Sequence, residues 1–249
     1  MDVSGLDASL IIIVIVASLA GSTISGLAGT AFAATSIGIY AHVLRPDLVS
    51  PIVVLSSLFC QLIALPLVWR ELDWKASAPF VLGGLLGVPV GVYLLSQLDA
   101  STFRFAVGVI LVLYAATVII SGKAPQIELE DKRADGSVGI AAGVLGGFAG
   151  LSGILPTLWC LIRRWPKTRQ RSIFQLFNTA MHSATALTYG ATGKITSEVG
   201  LLMLISIPSL SLGVWLGYRL YRRVDDKLFN RILTILLGVS GLGLVLLER

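Results

Sequence analysis

Apolar residues along the chain fall into eight runs parted by mostly short polar connections: 8–44, 48–69, 76–97, 102–121, 138–162, 172–189, 199–221 and 228–247. A helix of about 20 apolar residues crosses about 30 Å of hydrocarbon, so the pattern predicts membrane-spanning helices from end to end. Two of the runs are interrupted. "AGSTISGLAGTAFAATS" (20–36) holds three glycines and six hydroxyl residues in seventeen positions, and "GGFAGLSGILP" (146–156) repeats the motif. Such residues face lipid poorly, and backbone that leaves helical geometry at membrane depth survives only inside protein or along a water-filled cavity. Each interrupted run therefore predicts two short pieces, 8–21 and 31–44 in the first, joined by an irregular tip.

The longest polar connection, 121–137, divides the chain into similar halves. A shift of 126 positions lays "VGVYLLSQLDASTF" over "LGYRLYRRVDDKLF", matching Gly91 with Gly217, Asp99 with Asp225 and Phe103 with Phe229. A shift of 124 lays "GLAG" (26–29) over "GLSG" (150–153). The expected organisation is an N-terminal transmembrane repeat over 1–121, a cytoplasmic linker over 122–136 and a C-terminal repeat over 137–249. Glycine-interrupted segments at matching places in two halves point to a transporter's binding site.

Charge selects the topology. If each interrupted run crosses once, 12 of the 19 Lys and Arg fall on one face; if each enters and returns, 15 do, leaving Arg45, Arg104, Lys194 and Arg249 opposite. Basic residues gather on the cytoplasmic side, which favours the returning form with both termini periplasmic and the basic loops cytoplasmic. A returning pair plus three crossings reverses the entry side of the second half. The predicted fold is thus an all-α integral membrane protein of two inverted repeats, each an interrupted, re-entrant helix pair plus three transmembrane helices.

Composition agrees: 55% of residues are hydrophobic, 13% are charged and mean hydropathy is +0.85, which excludes an ordinary soluble domain. The formal charge of +5 has a topological explanation, so no nucleic-acid partner is expected. Cys60 and Cys160 lie in apolar surroundings without metal-ligand spacing, as small core residues do. No cofactor, metal or catalytic group is expected, and a second copy of the chain is compatible as a partner.

A helix that starts at a tip aims free N–H groups and its positive dipole end at the cavity, which favours an anion. Gly29, Thr30, Ser152 and Gly153 occupy these starts. The runs carry no Asp or Glu away from their ends, whereas a cation path would usually hold carboxylates. The second run contributes Ser56, Ser57 and Gln61; its counterpart contributes Gln175, Asn178, Thr179, His182 and Ser183. Gln175, Asn178 and His182 share one helix face, and His182 either bonds a neighbouring helix or meets ligand or proton. The loop "RRWPKTRQR" (163–171) reads as a positive-inside anchor that also attracts anions, and Trp69, Trp74 and Trp165 as interfacial belt residues. These features fit a carrier, coupled to a proton or another ion, with an anion channel as the competing reading.

The two tips, "SGLAGTAFAA" and "GGFAGLSGILP", together with "GVYLLSQLDASTFRF" and "GYRLYRRVDDKLFNR", resemble the sulfite exporter TauE/SafE family of bacterial membrane transporters over nearly the whole chain. The resemblance implies export of small anions, such as sulfite, sulfonates, related organosulfur compounds and small organic acids, across the inner membrane. The family's glycine triplet is missing: Ala31, Phe32 and Ala33 stand in the first turn, Ile154 and Leu155 in the second.

Overall fold

The computed structural model describes residues 8–99 and 131–225, with scattered positions between 102 and 116 and between 227 and 235. The crossings expected at 102–121 and 228–247 therefore lie largely outside the described residues. Every element among the described residues is helical: α1 (Ala8–Ala28), α2 (Phe32–Val43), α3 (Pro46–Val68), a 3₁₀ turn (Trp69–Glu71), α4 (Trp74–Gln97), α5 (Lys132–Ala149), α6 (Ile154–Ile162), α7 (Lys167–Ala191) and α8 (Ser197–Tyr221). The chemistry of their starts is local. Pro46 opens α3, where its missing N–H costs nothing. Asp73, Asp131 and Thr196 cap α4, α5 and α8 by accepting backbone N–H groups of Ala76, Arg133 and Val199. Asp99 and Asp225, paired by the shift of 126, do the same job: each accepts the backbone N–H three residues on, from Thr102 at 3.1 Å and Leu228 at 2.7 Å.

α1, α3, α4 and α8 are long and apolar enough to cross a membrane. α7 matches them in length but not in polarity, because its polar residues face protein: Gln170, Arg171, Ser172, Gln175, Asn178, His182 and Thr185 are all buried. α2 and α6, at 12 and 9 residues, rise only about 18 and 14 Å. Both fold back along the helix before them. Ser18 and Tyr40 hydroxyls pair at 2.8 Å, and Ser36 Oγ donates to Ala17 O, joining α2 to α1. Trp159 Nε1 donates to Asp135 Oδ1 at 2.8 Å, joining α6 to α5.

The breaks do not fall where composition placed them. α1 runs straight through most of the Gly/Ser/Thr stretch and ends only at Ala28, because Thr23 and Ser22 return hydrogen bonds to Leu19 O and Ser22 also reaches Ser209 O on α8. Ser22 and Thr23 thus serve helix structure and helix contact, not the tip. The first arm is thus a full-length helix in place of the expected 14-residue piece, and α5 likewise starts inside the expected 122–136 linker, at Lys132.

Contact between the halves is reciprocal. α1 lies along α8 and α4 along α5, each pair parallel, with backbones touching where glycine removes the side chain: Gly26 meets Val214, and Gly147 meets Val88. Val88 and Val214 are 126 positions apart, yet Gly26 and Gly147 are 121 apart. The helix-ending residues with positive φ, Gly29 (75°) and Gly150 (73°), are also 121 apart. Structural equivalence of the tips is therefore three residues off the "GLAG" over "GLSG" match. α3 and α7 cross between these pairs in antiparallel sense: Gln175 Nε2 donates to Gln61 O at 2.8 Å, and Ser172 Oγ accepts from Asp73 N at 2.5 Å.

Candidate functional site

Both tips turn at a left-handed glycine, and they meet. Gly29 ends α1, and Thr30 and Ala31 lead into α2; Gly150 ends α5, and Leu151, Ser152 and Gly153 lead into α6. Thr30 packs directly on Gly153, leaving no room there for a Cβ. Helix α7 fastens the two together through Asn178. Its Nδ2 donates to Gly29 O (3.3 Å), which also receives Gln61 Nε2 (3.0 Å), and its Oδ1 accepts Ser152 Oγ at 2.7 Å. One amide thus spans tips that the sequence separates by about half its length.

Beneath this junction is a cavity of ≈ 20 Å³, room for about one water. Of the expected residues, Thr30, Ser57, Gln61, Gly153, Asn178 and His182 line it. Gly29 and Ser152 stand just behind, tied to Asn178. Gln175 is a layer back, holding Gln61 O, and Thr179 Oγ1 returns to Gln175 O at 2.6 Å. Ser56 reaches away, to Met203 Sδ at 3.7 Å.

The wall also contains backbone that composition did not single out. No side chain caps α2, and its first helical bond runs from Thr35 N to Ala31 O. The N–H groups of Phe32, Ala33 and Ala34 are the uncommitted first-turn donors, and these residues line the cavity. In the same wall, Ser57 Oγ, Gln61 Oε1 and His182 Nδ1 are buried without a hydrogen-bond partner among the described residues. Buried polar atoms are rarely left open in a finished core. The arrangement offers a dipole end, backbone donors and side-chain hydroxyl and imidazole groups to a small polar guest, with no carboxylate among the described lining residues.

Ala31 holds φ 73°, in the region that costs a residue with a Cβ roughly 1–2 kcal/mol relative to glycine. Ala31→Gly is therefore expected to stabilise the protein by about 1 kcal/mol, which raises the melting temperature by roughly 2–4 °C in a chain of this size. Thermal melting in detergent checks it; an unchanged or lower midpoint would show that the turn is not strained.

Within the 163–171 segment, expected to be a positive-inside anchor, several cations are engaged by protein. Arg163 is buried, pairs with Asp135 at 3.2 Å and lies 4.8 Å from the Trp159 and Trp165 rings; Arg169 covers the Trp165 ring at 4.1 Å. Trp165 is thus a platform for two guanidinium groups. Arg171 belongs to α7 and is fully buried. A sequence signal for it existed: continuing the Gln175, Asn178, His182 stripe one turn backward reaches position 171.

The family model for the sulfite exporter TauE/SafE matches residues 13–244. The chain is 24% identical over 202 residues to the probable membrane transporter protein YunE of Bacillus subtilis (strain 168), covering 71% of this chain and 72% of that one. It is 25% identical over 183 residues to the probable inner membrane transporter protein TsaS of Comamonas testosteroni, covering 71% and 74%. No solved structure matches the chain. With a family match that takes in both tips, α7 and nearly all of the rest, the chain belongs to the sulfite exporter TauE/SafE family of membrane transporters.

Proposed function

We propose that the protein is a secondary carrier that exports small oxyanions, of the sulfite, sulfonate and small organic acid class, by exposing the tip cavity to each face of the inner membrane in turn. The observation that carries this reading is the uncapped start of α2, opening on a buried cavity beside unpartnered Ser57, Gln61 and His182 atoms. Aligned backbone donors at a positive helix end suit an anion, and the hydroxyl of Ser57 and an N–H of His182 supply further donors.

Antiparallel α3 and α7, with reciprocal α1–α8 and α4–α5 contacts, support inverted halves. Two halves of opposite entry have two arrangements of similar energy about a shared centre, as alternating access requires. The bias of basic residues supports a cytoplasmic face for the loops near Arg70, Lys167 and Arg222. A cavity of ≈ 20 Å³ favours a carrier over an open anion channel, since the polar path is closed on itself.

Purified protein in proteoliposomes tests this. Sulfite or methanesulfonate efflux is expected to saturate with concentration and to respond to an imposed proton or voltage gradient. Unitary currents in a planar bilayer would replace the carrier with a channel, and the absence of flux or binding for every oxyanion tried would remove the anion reading altogether.

A further inference from the structure

Arg171 sits in the second turn of α7 with no exposed surface. Its Nη1 donates to Leu27 O, in the last turn of α1, at 2.6 Å, and its Cζ lies 4.8 Å over the Tyr221 ring. Among the described residues, Nε and Nη2 have no hydrogen-bond partner. These two N–H groups share one edge of the planar guanidinium, the fork that accepts two oxygens of a carboxylate, sulfonate or phosphate side by side. No ion pair neutralises Arg171 among the described residues; Glu71, beyond the Tyr221 ring, instead receives the Tyr221 hydroxyl at 3.0 Å. Glu71 is the nearby opposite charge, yet it bonds the Tyr221 hydroxyl and not the guanidinium; a buried cation whose fork meets no oxygen directly is poorly compensated, so the open edge suits an anion.

Its place in the fold says which anion. A Cβ on Gly29 would lie 2.8 Å from Arg171 Cδ, while Gly29 O is held from the cavity side by Gln61 and Asn178. Arg171 therefore backs the first tip. Tyr221, on its other side, lines a crevice of ≈ 820 Å³ that also contains Arg70, Glu71, Lys167 and Arg222. One turn of backbone separates the guanidinium from the cavity, and one aromatic ring separates it from the basic crevice.

We propose that Arg171 is a second oxyanion-binding residue, whose Nε–Nη2 edge receives the transported anion between the tip cavity and the crevice formed by α3, α7 and α8. The proposal rests on the anion reading of the cavity and adds a station on the path. Arg171 selects planar, two-oxygen faces over spherical ions, and the Tyr221 ring is the barrier that must shift for passage.

Arg171→Lys keeps a charge and a donor for Leu27 O but loses the fork. Relative to wild type, flux of sulfite and methanesulfonate in proteoliposomes is expected to fall by about tenfold, with calorimetric affinity for sulfite and the melting temperature close to unchanged. Normal flux in a stable Arg171→Lys protein overturns the proposal, as does a loss confined to melting temperature, which would mark Arg171 as only the cap of α1. Should that variant fail to fold, exposed Glu71→Gln removes the acid nearest the fork: KM for sulfite presented to the crevice side is expected to fall about threefold, and an unchanged KM counts against. Asn178→Ala separates the two readings. If it keeps sulfite affinity while Arg171→Lys loses flux, the cavity assignment fails and Arg171 stands; the opposite pair of results removes Arg171 alone.

Discussion

Replacing Asn178 with alanine is expected to weaken sulfite binding by about tenfold or more, equivalent to about 1.4 kcal/mol or above. Among the described residues, the side chain makes the only hydrogen bond to Ser152 Oγ and one of two to Gly29 O. Its loss unties Ser152 from α7 and leaves Gly29 O to Gln61, so Thr30 and Gly153 lose the clamp that keeps them in contact. Leaving buried polar partners unpaired costs about 1–3 kcal/mol, and that cost falls on both stability and affinity. Thr179→Ala is the control one residue away: its hydroxyl returns to its own helix, and affinity should stay within about twofold, as expected for a helix-directed hydroxyl. Calorimetric titration of both variants with sulfite separates the cases. Equal affinities for wild type and Asn178→Ala would show that the anion binds elsewhere.

Much of this site could be read from composition because polar residues in hydrocarbon demand a reason. Gly29, Thr30, Gly153 and the α7 stripe were legible on that ground; the pairing of Asp99 with Asp225 came from the shift of 126, and their identical capping is a local matter. What stayed hidden depends on three-dimensional neighbours. The Gly/Ser/Thr content of 21–26 could signal a tip or a helix contact, and it serves both: Gly26 meets α8 and Gly21 meets α2, while Ser25 lines the cavity. The backbone donors of Phe32, Ala33 and Ala34 belong to residues whose side chains announce nothing. Arg171 looked like one more loop cation because charge at the edge of an apolar run normally marks the membrane boundary; α7 begins earlier, at Lys167, and carries it inward. The shift of 124 failed for a related reason: "GLAG" and "GLSG" match as letters, while the residues with equivalent backbone are Gly29 and Gly150.

Gly143→Ala should be among the most damaging single-methyl changes in the chain. A Cβ at this position would lie 2.8 Å from both Cα and C of Gly84, which are backbone atoms of α4 and cannot rotate aside. Helices in a bilayer associate chiefly through such close backbone approach, so the methyl forces α4 and α5 apart along their shared face. Overpacking of this kind costs about 1–3 kcal/mol, and a rigid backbone obstacle puts the expectation near the upper end. That corresponds to a melting temperature lower by about 6–10 °C. The effect should also reach function, because Gly143 lies seven residues before Gly150 on the same helix, two turns or about 10 Å from the second tip. A displaced α5 carries Ser152 and Gly153 away from Asn178 and Thr30. Gly217→Ala, whose Cβ would be 2.6 Å from Leu27 N and 2.9 Å from Gly26 C, should act alike on the first tip. Gly200, also within a helix but with nothing within 4 Å of an added Cβ, should instead gain roughly 0.5–1 kcal/mol as alanine, from reduced freedom of the unfolded chain. Melting curves and sulfite affinities for the three alanine variants check the whole pattern; a Gly143→Ala protein as stable as Gly200→Ala would mean that the α4–α5 contact is looser than backbone on backbone.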